Sequence, residues 1–393
     1  MRLEKIFRKL AATTLREPRI RRSAKMLAAL AIGASACGAA AWSQDEDANE
    51  GGRDMVYTET NAAGGNEILA FASDNGSLVL ASRASTHGLG TEGGLGNQGA
   101  LAFDARRHFL FAVNAGSDEI SVLKAVRDGG LTFVDKIPSG GTRPVSLALR
   151  GDVLYVLNAG GSGNISGFSI LWDGHLRPIA GSTRPLSSPQ AGAAEISFDR
   201  EGEVLAVTEK ATNKIDVYTV EDDIPSNPGV INSVGKTPFG FAFDRHNHLL
   251  VSEAFGGAPD AGAVSSYDLD EDIPSLEVIS PSVPTHQSAP CWVVLGAHGR
   301  FAYATNTGSG SVSGYRVSRD GSLTLLNPDG ITATTGAGSG PTDAAVSRRG
   351  RFLFVLAPQV GLLEAFIIRR DGSLLSAGSA AGVPTSATGL ESR

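Results

Sequence analysis

The chain has 393 residues, with 49 glycines, 41 acidic side chains against 34 basic ones, and two cysteines. A net charge of −7 argues against a nucleic-acid partner, which needs a basic footprint on its phosphate backbone. The cysteines are Cys37, in a leader, and Cys291, so the processed chain has neither an intrachain disulfide nor a Cys-rich metal site.

Residues 1–44 carry nine basic side chains between Arg2 and Lys25 against only Glu4 and Glu17, then an apolar run from Met26 to Ala36 and the small residues Ala39, Ala40 and Ala41. This is the order of a secretory signal peptide, with cleavage near Trp42. The run is short of the ~20 residues that a spanning helix needs. A secreted or periplasmic protein with no membrane association after cleavage is therefore expected, and loss of the segment takes the net charge from −7 to −14. Residues 45–54 are polar and acidic and read as a disordered leader.

From Met55 onward the sequence repeats. A unit opens at Ala100 as "ALAFDARRHFLFAVNAGSDEISVLK", and near-copies begin at Val145, Glu195, Gly240, Cys291 and Asp343. Each has four short alternating runs divided by turn residues. Asn114, Asn158, Glu209, Glu253 and Asn306 hold one equivalent place, at spacings of 44, 51, 44 and 53. Asp-Gly pairs at 128–129, 173–174, 320–321 and 371–372 part the third run from the fourth and supply the positive φ of a tight hairpin.

Four strands per ~50 residues is the unit of a propeller blade. The stretch from Met55 reads as a blade lacking its innermost strand, with Asn61 at the repeated place, and Thr385 to Leu390 supplies that strand. The expectation is an all-β, seven-bladed propeller of four-stranded antiparallel blades over residues 55–393. A C-terminal strand completes the first blade and removes the open edges.

In such a fold the connections from strand two to three, and from strand four into the next blade, open on one face around the channel. That puts the Asn/Glu series in a ring at the channel mouth. Glu209 and Glu253 there suit acid/base work or a divalent cation. Lys210, Arg143 and Arg184 lie in or near connections on the same face and suit an anion. His87 and His286 fall in blade-to-blade connections on this face, whereas His108, His175, His246, His248 and His298 belong to the far face.

The first of these connections holds "GLGTEG" and "GLGNQG", Gly88 to Gly99. Neither opens a helix after a strand, as dinucleotide binding requires, so no cofactor is expected. The segment reads instead as a mobile lid carrying His87 and Glu92. No metal-ligand set stands out, although the acidic turns from Glu221 and Asp270 on the far face have the composition of a weak calcium site.

The blade pattern has "FD" or "SRRGR" before the second strand, Asn-Ala-Gly after it, and an "SRDGSLT" hairpin. It resembles the seven-bladed propeller lactonase family, which includes 6-phosphogluconolactonases and carboxymuconate-lactonizing enzymes, and the resemblance runs from Met55 to the end. It implies a hydrolase or cyclase acting on a lactone or a small carboxylated compound. Members carry histidines before the first strand of a middle blade, where this chain has Gly192 and Ala194. Glu209 is then the counterpart of an active-site carboxylate, and Arg184 that of a substrate-binding arginine.

On this reading Glu209 or His286 is the general base, and Arg184 and Lys210 hold the carboxylate and the developing oxyanion. Glu253, Asn114, Asn158, Asn306 and His87 complete the substrate contacts. The alternative is a non-catalytic exported propeller that binds a ligand or a protein partner through the channel face. A small-molecule ligand and a monomeric chain are expected.

Overall fold

The structure, a computed structural model, describes residues 54–126, 129–270 and 275–393. The expected signal segment and most of the leader lie outside the described residues. Those described form seven antiparallel sheets of four or five strands, each a blade.

The innermost strands, in blade order, are Thr388–Ser392, Leu101–Asp104, Pro144–Arg150, Ala193–Phe198, Pro238–Phe243, Pro290–Leu295 and Ala344–Val346. The second strands are Asp54–Glu59, Phe109–Asn114, Val153–Asn158, Val204–Glu209, Leu249–Glu253, Phe301–Asn306 and Phe352–Ala357. In three blades a fourth strand is broken in two, as in Leu176–Pro178 followed by Arg184–Pro185.

The expected alternation of apolar and polar residues holds at the rim and fails inside. On the outermost strand Ser77–Ser85 most side chains keep contact with solvent. Every residue of Phe109–Asn114, Val153–Asn158 and Phe352–Ala357 is buried. A second strand has another blade against each of its faces, so both faces must be apolar. All six tyrosines are also buried. Four of their hydroxyls donate to carbonyls of adjacent blades: Tyr155 to Asp223 (2.8 Å), Tyr218 to Pro185 (3.2 Å), Tyr303 to Gly372 (2.9 Å) and Tyr315 to Val283 (3.0 Å).

The ring closes as the repeat predicts. Thr388–Ser392 pairs with Asp54–Glu59, with Tyr57 opposite Glu391, and Met55 and Arg393 exchange backbone hydrogen bonds of 3.1 and 2.9 Å. The strand begins three residues later than expected. Pro384, which lacks an N–H, starts a turn closed by the Ala387 N–H on its carbonyl (3.0 Å), so pairing waits until Thr388.

One assignment in the repeat also changes. Glu59, not Asn61, ends the second strand of the first blade, because a longer connection, Thr60 to Asn66, follows it. Asn61 instead clasps the Gly-rich connection, donating to the Gly93 carbonyl at 2.6 Å.

Candidate functional site

The strand-two ends are Glu59, Asn114, Asn158, Glu209, Glu253, Asn306 and Ala357, and all are buried. They do not rim the channel mouth as expected. Asn114, Asn158, Glu209 and Glu253 bond the connection that arrives from the preceding blade, whereas Glu59 and Asn306 bond within their own blade.

Asn114 accepts from the Thr86 hydroxyl (2.7 Å) and donates to Ser121 (2.7 Å), and Asn158 donates to the Ser139 carbonyl (3.3 Å). Asn306 donates to Ser311 (3.1 Å) and Ser313 (2.9 Å). Glu209 accepts from the Ser187 N–H (3.0 Å) and hydroxyl (2.6 Å), and also from Thr212. Glu253 accepts from the Gly235 N–H (2.8 Å) and from Ser282 (2.6 Å). The asparagines meet acceptors for their amide N–H groups, and the glutamates meet donors for their carboxylates. Next to Glu209, burial and the neighbouring carboxylate push Asp216 up to about 8.

The remaining expected residues lie apart. Arg184, on the outer edge of its blade, donates to the carbonyls of Ser226 (3.1 Å), Gly181 (2.7 Å) and Thr183 (2.8 Å). His87 and His286 are exposed, with φ of 58° and 54°, in matching Thr-His turns. In each turn the threonine hydroxyl accepts the N–H two residues on, at 3.2 Å for Thr86 and 3.1 Å for Thr285. Lys210 reaches the Gly-rich connection. Its ammonium lies 4.7 Å from the Phe239 ring centroid and against the Gly96 carbonyl, and burial pushes it down to about 8. No hydrogen bond or ion pair joins Glu209, Lys210, Arg184 and His286 to one another among the described residues.

The Gly-rich connection, expected to be a mobile lid, crosses the top of the channel and is pinned on several blades. The Asn97 amide donates to the Val145 carbonyl, and its oxygen accepts from the Thr388 hydroxyl (3.1 Å). The Gln98 N–H donates to the Ala194 carbonyl (3.1 Å), while its side chain exchanges hydrogen bonds of 2.9 and 3.0 Å with Val293. Trp292 donates its indole N–H to the Asn97 carbonyl (2.7 Å). Leu95, Asn97 and Gln98 are buried. Gly88 and Gly90 allow the crossing, since a Cβ on either would lie 2.0 to 2.1 Å from Asn114 or Asn61. Beside this plug Cys291 is buried, and its thiol is pushed up to about 11, which leaves it unreactive.

Beneath the plug lies a cavity of about 410 Å³ lined by innermost strands of six blades, with Gln98 as part of its roof. Three carboxylates that sequence reasoning missed enter it: Glu195, Asp343 and Glu391. Glu195 accepts the Phe241 N–H at 2.5 Å. Asp343 accepts the Ala344 N–H at 2.9 Å through one oxygen, while its other oxygen has no hydrogen-bond partner.

Burial pushes Asp343 up to about 7 against the pull of backbone N–H groups. Glu391 is pushed up to about 8 by burial and by the Asp343 charge. Burial, with a further contribution from Asp343, raises Glu195 well above the usual carboxylate range. The available signal was an acidic residue at the start or in the middle of an apolar innermost strand, as in "EISF", "DAAV" and "GLES".

On the far side, through Ser197, the cavity adjoins a wider one of about 620 Å³ lined by Phe198, Phe241, Arg200, Arg245 and His298. No three His, Cys, Asp or Glu side chains among the described residues sit close enough to hold a metal ion. No helix among them is long and apolar enough to cross a membrane.

Residues 55–184 and 253–389 match the family described as lactonase, 7-bladed β-propeller. The chain belongs to this seven-bladed propeller lactonase family. No curated protein matches it in sequence.

Among solved structures it is similar to a candidate 6-phosphogluconolactonase from Bacteroides uniformis. The two share 19% identity and a TM-score of 0.66, over 86% of this chain and 98% of that one. It is also similar to the periplasmic gluconolactonase PpgL of Pseudomonas aeruginosa, with 18% identity, a TM-score of 0.66 and the same coverage. At such identities the likeness is one of fold. Within this lactonase-family fold, the Ala194 position, where the resemblance expects a histidine, is covered by the plug.

Proposed function

We propose that the protein is a lactone hydrolase whose reaction takes place in the central channel. The convergence of Glu195, Asp343 and Glu391 on one cavity carries this reading. Burial raises the proton affinity of all three carboxyls, and the Asp343 charge raises that of both glutamates, so they do not all ionise together near neutral pH. An ionised one takes a proton from water as it attacks the lactone carbonyl. A protonated neighbour hydrogen-bonds the carbonyl oxygen as it becomes an oxyanion and, when the intermediate collapses and the bond from the carbonyl carbon to the ring oxygen breaks, gives its proton to the ring oxygen. Asp343, with one unpartnered oxygen and a place in the charge coupling to both glutamates, suits the base.

Family membership and the gluconolactonase name of the Pseudomonas neighbour support a lactone of a small hydroxy acid as the substrate class. A basic, then apolar N-terminal segment supports export, and the periplasmic neighbour agrees with it.

The full chain should hydrolyse members of a panel of aldonolactones. Asp343→Asn and Glu195→Gln should each lower kcat by about 100-fold or more while leaving the fold intact. A flat panel from a well-folded protein would sink the hydrolase reading and leave a propeller that binds without turnover.

A further inference from the structure

Hydrolysis of a lactone breaks the bond between the carbonyl carbon and the ring oxygen. The carbon keeps the oxygen of water, and the ring oxygen leaves as a hydroxyl. The new acid then gives up its proton, so the product gains a negative charge inside a cavity lined by three carboxylates. Repulsion drives it out, yet the upper mouth is filled by Asn97 and Gln98.

At the other end Ser197 is shared with the wider cavity, which Arg200, Arg245 and His298 line together with Phe198 and Phe241. Glu195 and Arg200 are five residues apart on one strand and its turn, no more than about 17 Å of chain.

Neither arginine has an ion pair among the described residues. Asp244 also lines this cavity, and both it and Asp199 are engaged in hydrogen bonds. Asp199 accepts the N–H groups of Glu203 and Val204 and the Asn247 amide. Asp244 accepts the N–H groups of His246 and His248 and bonds the His248 ring at 2.9 Å. Glu201 and Glu203 follow in the same turn but do not line the cavity.

The far-face turns "DARRH" and "SRRGR" of two other blades are basic too, whereas those from Glu221 and Asp270 are acidic.

We propose that this far-face vestibule is a carboxylate-binding site through which the hydroxy-acid product leaves, with Arg200 and Arg245 supplying the charge-assisted hydrogen bonds. The identity of the anion rests on the lactone hydrolase reading, whereas the site itself does not.

Calorimetric titration of the full chain with D-gluconate, with D-glucose as the uncharged control, tests it without any turnover. Gluconate should bind and glucose should not. The pair Arg200→Ala and Arg245→Ala should weaken gluconate binding by about tenfold or more, and the pair Arg200→Lys and Arg245→Lys should restore most of it. Both arginines are exposed, so thermal melts of the variants should match the wild type.

Gluconate binding that is absent, or equally strong in the alanine pair, would overturn the site. Arg-dependent binding by a protein that hydrolyses no lactone would leave the site standing and remove the hydrolase reading. Turnover without Arg-dependent binding would do the reverse.

Discussion

Glu195 and Glu209 show how one residue type takes opposite roles in a single blade. Glu209 ends a second strand and turns into an inter-blade seam, where hydroxyls and an N–H occupy its oxygens. Glu195 sits on the innermost strand and faces the axis with two other carboxyls for company. The spacing of the repeat finds Glu209 readily because its counterparts are polar. It passes over Glu195 because the acidic residues of the innermost strands do not recur at one equivalent place.

The channel carboxyls also make a pH prediction. A carboxyl that holds its proton more tightly folded than unfolded stabilises the fold where it is protonated. That contribution is complete below the ordinary carboxylate range and is lost as the pH rises through about 7 for Asp343 and about 8 for Glu391. Thermal melts should therefore show Tm falling between roughly pH 5 and pH 9. Asp343→Asn should flatten that fall and raise Tm on the alkaline side by about 2–4 °C for each kcal/mol recovered. An unchanged slope in the variant would contradict the burial of charge argued here.

At the scale of elements, the second strands and the Gly-rich connection depart from their sequence signals for the same reason, a neighbour in space. Alternation disappears from a strand with blades on both faces. The glycines, which suggest mobility, instead allow the backbone to pass against Asn61 and Asn114 on its way across the channel. The Gln98 N–H is tied to Ala194, and the Leu147 N–H to the Gly99 carbonyl at 2.8 Å.

Hydrogen exchange should then find the Gln98 N–H protected to the degree of the innermost strands, unlike an open loop. Trp292→Phe, which removes the donor to Asn97, should speed exchange there selectively. Rapid exchange of this N–H in the wild type would mean that the mouth is open.

For the whole molecule, closure is the deciding feature. Removing residues 388–393 would leave Asp54–Glu59 as a bare edge and uncover the cluster of Val56, Leu69 and Val383 that Leu390 seals. Such an edge invites pairing with other chains. Calorimetry and light scattering should show a Tm lowered by roughly 10 °C or more, or outright aggregation. A monomer with wild-type stability would show the closing strand to be dispensable.

Blade number, strand count and closure were all legible in the sequence, because they follow from local patterns: a repeated turn, an apolar run and two complementary fragments at the chain ends. The candidate site was not legible in the same way. Glu195, Asp343 and Glu391 stand up to 196 positions apart and meet only because seven blades bring their innermost strands around one axis. The plug is decided in the same way, by contacts that reach from Gln98 to Val293, 195 positions away. A linear pattern records what each residue does to its own backbone; what it does to distant side chains depends on how the ring closes.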